Sequence, residues 1–382
     1  MKLLDEKILK NNIESTINAD IAACRVGGAS VIVKQCGNTV YENTFGYKDH
    51  NTCEKLVGDP LFRIASMTKP ITAVAILIQC ARGIIGLYDP VEKFIPEYGE
   101  LFTGSLDKNG NIIKENIIKN KLRIIHLLTH SGGVGTLEVG DKQYGMMSDE
   151  QRKTLSGVAG YFADCVLAFE PYSMQYYSPT VAFDILARIV EITSGLTYEE
   201  FLQKELFEPL GMKDTTFTPS NEQWARMIGM HDLSDGKSVT VKMNEGCIFE
   251  NFAPTYFSGG AGLASTLLDY LAFAEMLLEE GKNILPKELV FAMSSPQLPS
   301  GIMPGNQVWG LGVRVITDDS YKYLPKGTFG WSGAYGTHFW VDPVNRITAV
   351  YMKNSRFDGG AGANTANKFE IDVFNSLKGE SI

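Results

Sequence analysis

Residues 61–83 read LFRIASMTKPITAVAILIQCARG, and the rest of the chain falls into place around this stretch. Leu61 to Ala65 is a short apolar run of strand character. Ser66 follows at once, and apolar residues then continue for about four helical turns, with Gly83 placed to end the helix. Pro70 does not break it, because the N–H it lacks would have no intrahelical partner in the first turn. A serine at the mouth of a helix with Lys69 three residues on puts hydroxyl and amine on one face. The helix N-terminus favours negative charge developing there. The plainer reading of the same residues is a serine N-cap with a solvated lysine.

Outward from this stretch, residues 5–20 have the pattern of an amphipathic helix. ASVIVKQCGNTVYENTFGY (29–47) reads as two strands around Gly37-Asn38, a hairpin signal. From about 84 to 225 the pattern is mostly helical with loops, as in IIHLLTHSGG and PTVAFDILARIVEITSG. Beyond about 255 a glycine turn leads into the helix of STLLDYLAFAEMLL. VWGLGVRVIT, GTHFWVDP and RITAVYMKNS then read as consecutive strands, and ANKFEIDVFNSLKG as a closing helix. Strands at both ends with helices between predict one sheet assembled from the two termini. No linker or repeat divides the chain. The expectation is one α/β (α+β) domain over 1–382, with a sheet subdomain from 1–65 and 226–382 and a mostly helical subdomain over 66–225.

The 382 residues carry 35 basic and 44 acidic side chains, a net charge of -9. Acidic excess argues against a nucleic-acid or anionic-membrane partner. The six cysteines show no C-x-x-C pair and no histidine at zinc spacing, so free buried thiols in a reducing compartment are expected and no metal site. Charge interrupts every short apolar stretch of the N-terminus, unlike a signal peptide. No run approaches the roughly 18 apolar residues of a membrane span. A cytoplasmic protein is expected; oligomeric state is not legible.

A serine hydroxyl needs a base within hydrogen-bond reach and donors for the oxyanion. No G-x-S-x-G elbow occurs. S-x-x-K occurs three times, at Ser66–Lys69, Ser105–Lys108 and Ser234–Lys237, but the last two sit in polar turns with no helix behind them. The segment FRIASMTKPITAVAILIQCARGIIGLYDPVEKFIPEY (62–98) resembles the nucleophile segment of the serine β-lactamase-like superfamily: class C β-lactamases, D-alanyl-D-alanine peptidases and family VIII carboxylesterases. IIHLLTHSGG (124–133), FEPYSMQYYSPTVAFDILARIVEITSG (169–195), FEPLGMKDT (207–215), SGGAGLASTLLDYLAFAEMLL (258–278) and WSGAYGTHFWVDP (331–343) are similar to its later blocks, in the same order.

The resemblance implies a β-lactamase/transpeptidase-like fold, an antiparallel sheet flanked by helices with a helical insert and the site in the cleft between them. It implies Ser66 as acylated nucleophile, with Lys69 and Tyr177 handling its proton; which of the two is the base stays open. The plainer reading of Tyr177 is a packing residue beside Tyr176, and the aligned segment favours catalysis over it. Two departures stand out. Pro179 occupies the place of the Asn in the second motif, so any hydrogen bond from that amide is absent or supplied elsewhere. Trp331-Ser332-Gly333-Ala334 replaces Lys-Thr-Gly, as in the family VIII esterases, removing the cation that would pair with a substrate carboxylate. Gly333 permits close approach to substrate. The N–H groups of Ser66 and Ala334 are the oxyanion candidates. His130 is expected to be structural, and His338 to face away from Trp331. The expected activity is a carboxylesterase on small or short-chain esters, through an acyl-enzyme and without cofactor or metal. The alternatives are a β-lactamase or D-alanyl-D-alanine carboxypeptidase-type amidase, and a non-catalytic ligand-binding module.

Overall fold

The structure, a computed structural model, describes residues 1–241 and 252–378; Cys247 lies outside the described residues. Helix α1 (Glu6–Ala22) opens on Asp5, whose carboxylate accepts from the N–H groups of Lys7 and Ile8 and so satisfies two donors the helix leaves unpaired. Strands β1 (Gly28–Gln35), β2 (Asn38–Asp49) and β3 (Glu54–Lys55) follow. The hairpin loop between the first two is Cys36–Gly37, one residue earlier than the sequence suggests. Both have positive φ, 52° and 80°, as a two-residue mirror-image turn requires.

Strand β4 (Leu61–Arg63) leads into α2 (Thr68–Ala81). Residues 102–117, expected to belong to a stretch of helices and loops, form a hairpin of β5 (Phe102–Leu106) and β6 (Ile112–Ile117). Its residues are largely solvated, so no clean period-two pattern marks them. Ser105 lies in β5, and Ser234 closes β7 (Met230–Ser234), which pairs with β8 (Lys237–Val241). Between these hairpins lie α3 (Leu137–Met146) and α4 (Val181–Ser194). Then come β9 (Ala264–Thr266) and α5 (Leu267–Leu278). Strands β10 (Gln307–Trp309), β11 (Arg314–Ile316), β12 (Phe329–Ser332), β13 (His338–Asp342) and β14 (Ile347–Met352) precede the closing helix α6 (Asn364–Phe374).

The main sheet has eight antiparallel strands in the order β10-β11-β12-β13-β14-β1-β2-β3. N-terminal β1 is therefore zipped to the last strand, with Ile32 opposite Val350. Side chains alternate between faces. Ile32, Trp331, Phe339 and Val350 join the core made with α2, α4 and α5, whereas Val31, Trp340 and Ala349 meet α1 and α6 on the other face. Helix α2 is buried from Thr68 to Gln79, enclosed on every side, as its all-round apolarity dictates.

Among the described residues no helix is long and apolar enough to cross a membrane. The five described cysteines are unpaired, and Cys36 and Cys53 are exposed rather than buried. Burial pushes the thiol of Cys80 up to about 12 and that of Cys165 to about 11.

Candidate active site

Ser66 sits in a single 3₁₀ turn, Ala65–Met67, between β4 and α2. The turn is held from several sides. β4 pairs with β9, the N–H of Ile64 donates to the carbonyl of Leu263 at 3.1 Å, and Tyr270 Oη donates to the carbonyl of Met67 at 2.8 Å. Ala65 has φ 45°, a left-handed conformation that costs a residue with a Cβ about 1–2 kcal/mol and persists only where surroundings impose it.

Lys69, one turn on, is fully buried. Its ammonium donates to Ser66 Oγ at 3.1 Å, to the carbonyl of Pro179 at 2.6 Å and to the carbonyl of Gly260 at 2.8 Å. A lysine has three donors, and all three are placed. Pro179, which has no side-chain amide, thus meets Lys69 through its main-chain carbonyl. Lys69 Nζ lies 4.9 Å from the centroid of the Tyr177 ring.

Tyr177 is half-buried in an aromatic cluster. Trp331 Nε1 donates to its hydroxyl at 3.4 Å, and the Trp309 ring stacks on it at 6.0 Å and 14°. Trp309 and Trp331 are 4.5 Å apart. His130 packs beneath, 4.5 Å from Tyr177 and 4.4 Å from Trp309. Its Nδ1 accepts from the N–H of Ser178 at 3.1 Å, which fixes the tautomer with hydrogen on Nε2. Burial, and then the Lys69 charge, push its pKa well below the ordinary range, so it stays neutral and braces the loop carrying Tyr177.

Two residues expected at the substrate are engaged elsewhere. The Ser332 hydroxyl bonds His338 Nδ1 at 2.8 Å on the far face of the sheet, and His338 Nε2 meets Glu370 Oε1 at 3.0 Å. The pleat turns Ser332 away from Trp331. At Gly333 the close neighbour is protein. A Cβ there would stand 2.2 Å from both the Ile64 carbonyl oxygen and Thr337 Oγ1, and the Gly333 N–H already donates to Thr337 O at 2.7 Å. Ala334, next in the chain, is exposed.

Asp184 plays a part that the sequence reading passed over. It is fully buried on α4 and accepts from Tyr256 Oη and Ser258 Oγ, both at 2.6 Å, and from the Gly260 N–H at 3.2 Å. It therefore shapes the loop whose Gly260 carbonyl holds Lys69. Burial pushes its pKa up, opposed by those hydrogen bonds and by the Lys69 charge. The signal was available: an acid inside the otherwise apolar run VAFDILA (181–187). Trp309 had no such mark. Among the described residues no group of three or more His, Cys, Asp or Glu side chains could hold a metal.

A serine on a strained turn, with a buried lysine beside it, between an antiparallel sheet and a helical layer, defines the class: a serine hydrolase that works through an acyl-enzyme. The chain belongs to the Beta-lactamase family, whose profile matches residues 13–372. It is 28% identical over 385 residues to Esterase EstB of Burkholderia gladioli, covering 94% of each chain. It is 25% identical over 399 residues to the lovastatin esterase of Penicillium rubens, covering 95% of this chain and 98% of that one. The solved structure of EstCE1, described as a hydrolase with promiscuous acyltransferase activity, shares the fold with a TM-score of 0.81 at 24% identity, over 97% of this chain and 99% of that one.

Proposed function

We propose that the protein is a carboxylesterase in which Ser66, Lys69 and Tyr177 carry the chemistry. Ser66 Oγ bonds to the acyl carbon while its proton is taken up by the Tyr177–Lys69 pair through the Tyr177 oxygen. That proton then leaves with the alcohol as the ester C–O bond breaks. Water repeats the sequence on the acyl-enzyme and releases the acid. The N–H groups of Ser66 and Ala334 receive the oxyanion. The observation that carries this reading is the set of three acceptors around Lys69. An ammonium already donating to Ser66 Oγ leaves the serine proton to a different acceptor, and the ring of Tyr177 lies 4.9 Å from that ammonium. Trp331 in place of a cation favours neutral esters over β-lactams and peptides that end in a carboxylate. Two relatives carrying esterase names support the same choice. The substrate is a small molecule met in the cytoplasm, a setting with which five unpaired cysteines agree.

Intact mass after treatment with a fluorophosphonate is the direct test. One adduct is expected on the wild type and none on Ser66→Ala, with p-nitrophenyl ester turnover lost in that variant. Efficient nitrocefin turnover without esterase activity would favour the amidase reading, and no adduct at Ser66 a binding module. Tyr177→Phe keeps the aromatic stacking and removes one oxygen. It is expected to lower kcat about a hundredfold or more with the melting temperature little changed. Near-native turnover would remove Tyr177 from the mechanism.

A further inference from the structure

In front of Tyr177 opens a cleft of about 940 Å³, room for a substituent extending well beyond an ester group. Its aromatic lining is Tyr176, Tyr177, Trp309 and Trp331. Most of the rest comes from β5 and α3, which contribute Leu106 and Val139 and two acids, Glu138 and Asp141. Those acids are exposed. They stand three residues apart, on one face of α3. Neither takes part in an ion pair among the described residues, although the surface elsewhere pairs its acids freely. The macrodipole accounts for an acid in the first turn, where Glu138 lies, but not for Asp141 beyond it. No lysine or arginine is among the described residues lining the cleft.

We propose that this cleft selects esters bearing an ammonium group away from the scissile bond, and disfavours those bearing a carboxylate. The proposal rests on the esterase reading and names its substrate class. Aromatic faces carry the negative side of a quadrupole and attract a cation. The two carboxylates add a like-signed field, and no basic side chain in the lining offsets it. A substrate carboxylate meets the same field as repulsion.

The test uses two series of matched esters. One places the charge on the alcohol: acetylcholine, its neutral tert-butyl isostere 3,3-dimethylbutyl acetate and a carboxylate-ended acetate. The other places the same three end groups on the acyl chain of p-nitrophenyl esters. In the series whose charged half enters the cleft, kcat/KM for the cationic ester is expected to exceed that for the anionic one about tenfold or more at low salt. The gap is expected to narrow in about 0.5 M salt. In the double variant Glu138→Gln, Asp141→Asn it is expected to shrink about fivefold or more.

A ratio near or below one in both series overturns the proposal, as does a ratio indifferent to salt or to the two substitutions. Salt dependence in the wild type decides the matter if the double variant fails to fold. Hydrolysis of the neutral esters without charge preference overturns the cleft assignment alone. No hydrolysis in either series overturns the esterase reading beneath it.

Discussion

Lys69 shows what a buried charge demands. Removing an ammonium from water costs several kcal/mol unless hydrogen bonds and an opposite charge compensate it. Here two backbone carbonyls and one hydroxyl take its three hydrogens, and Asp184 supplies negative charge within electrostatic reach. Ser66, Lys69 and Tyr177 were legible in the sequence because each is a reactive side chain at a spacing or in a segment that marks it. The other two acceptors of Lys69 were not: they are main-chain atoms more than a hundred residues away, and any residue type supplies a carbonyl. Asp184 makes this arrangement testable. Asp184→Ala removes the carboxylate on which Tyr256 Oη, Ser258 Oγ and the Gly260 N–H converge, leaving the Gly260 N–H only Ser258 Oγ at 3.2 Å. A hydrogen bond to a charged group is worth about 1.5–3 kcal/mol, so a loss of several kcal/mol in denaturant unfolding is expected. Asp184→Asn keeps one acceptor oxygen and should fold. Its kcat is expected to fall about tenfold with KM little changed, because Lys69 and Ser66 are set less accurately. An Asn variant with native kcat would confine Asp184 to stability.

Among the elements, the strand end at 332–334 and the nucleophile turn work as one unit. Thr337 Oγ1 donates to the Ile64 carbonyl at 3.1 Å, tying the turn after β12 to the residue that begins the Ser66 turn. Gly333 lies between them with no space for a side chain. Helix α2 was readable as a long apolar run, and the β1–β2 pair from the apolar run of β1 and the glycine turn that follows it. The β5–β6 hairpin was not, because its strands are mostly solvated. Nor was the direction of Ser332 or the closeness of Gly333 to Ile64, since both depend on pairing across strands. Gly333→Ala forces the strand end and the turn apart, since a contact near 2.2 Å cannot persist. A shift of about 1 Å in the oxyanion donors relative to Ser66 is worth roughly a hundredfold in rate. The expected outcome is a fall in kcat of about that size with a smaller change in KM, read from steady-state ester hydrolysis. If the variant hydrolyses ester at the native rate, the contact does not set the site.

At the level of the whole molecule, the sheet is closed by its ends. β1 pairs with β14, and α1 packs on α6 across the same face. The expectation of one sheet built from both termini followed from strand-like runs at each end of the chain, and the strand order shows it. What that expectation lacked was the polar clasp beneath the sheet. Glu370 on α6 accepts from Arg314 on β11 at 2.6 Å and meets His338 on β13 at 3.0 Å, while Tyr321 donates to its second oxygen at 2.8 Å. Burial raises the pKa of this carboxyl, but Arg314 and His338 outweigh it and hold the pKa at about 2 against the usual 4.5. The sign follows. Between these values the folded chain binds fewer protons at Glu370 than the unfolded chain does, so stability falls as pH falls. The contribution, about 3 kcal/mol, is fully present above roughly pH 4.5 and is lost as pH drops through about 2. Urea midpoints measured at steps from neutral pH down to about 3 should therefore decline steeply for the wild type. Glu370→Gln, which cannot titrate, should start lower by about 3–5 kcal/mol because Arg314 is left buried without its partner, and should decline less steeply over the same range. Parallel declines in the two proteins would place the acid sensitivity in other carboxylates and leave the clasp a packing contact.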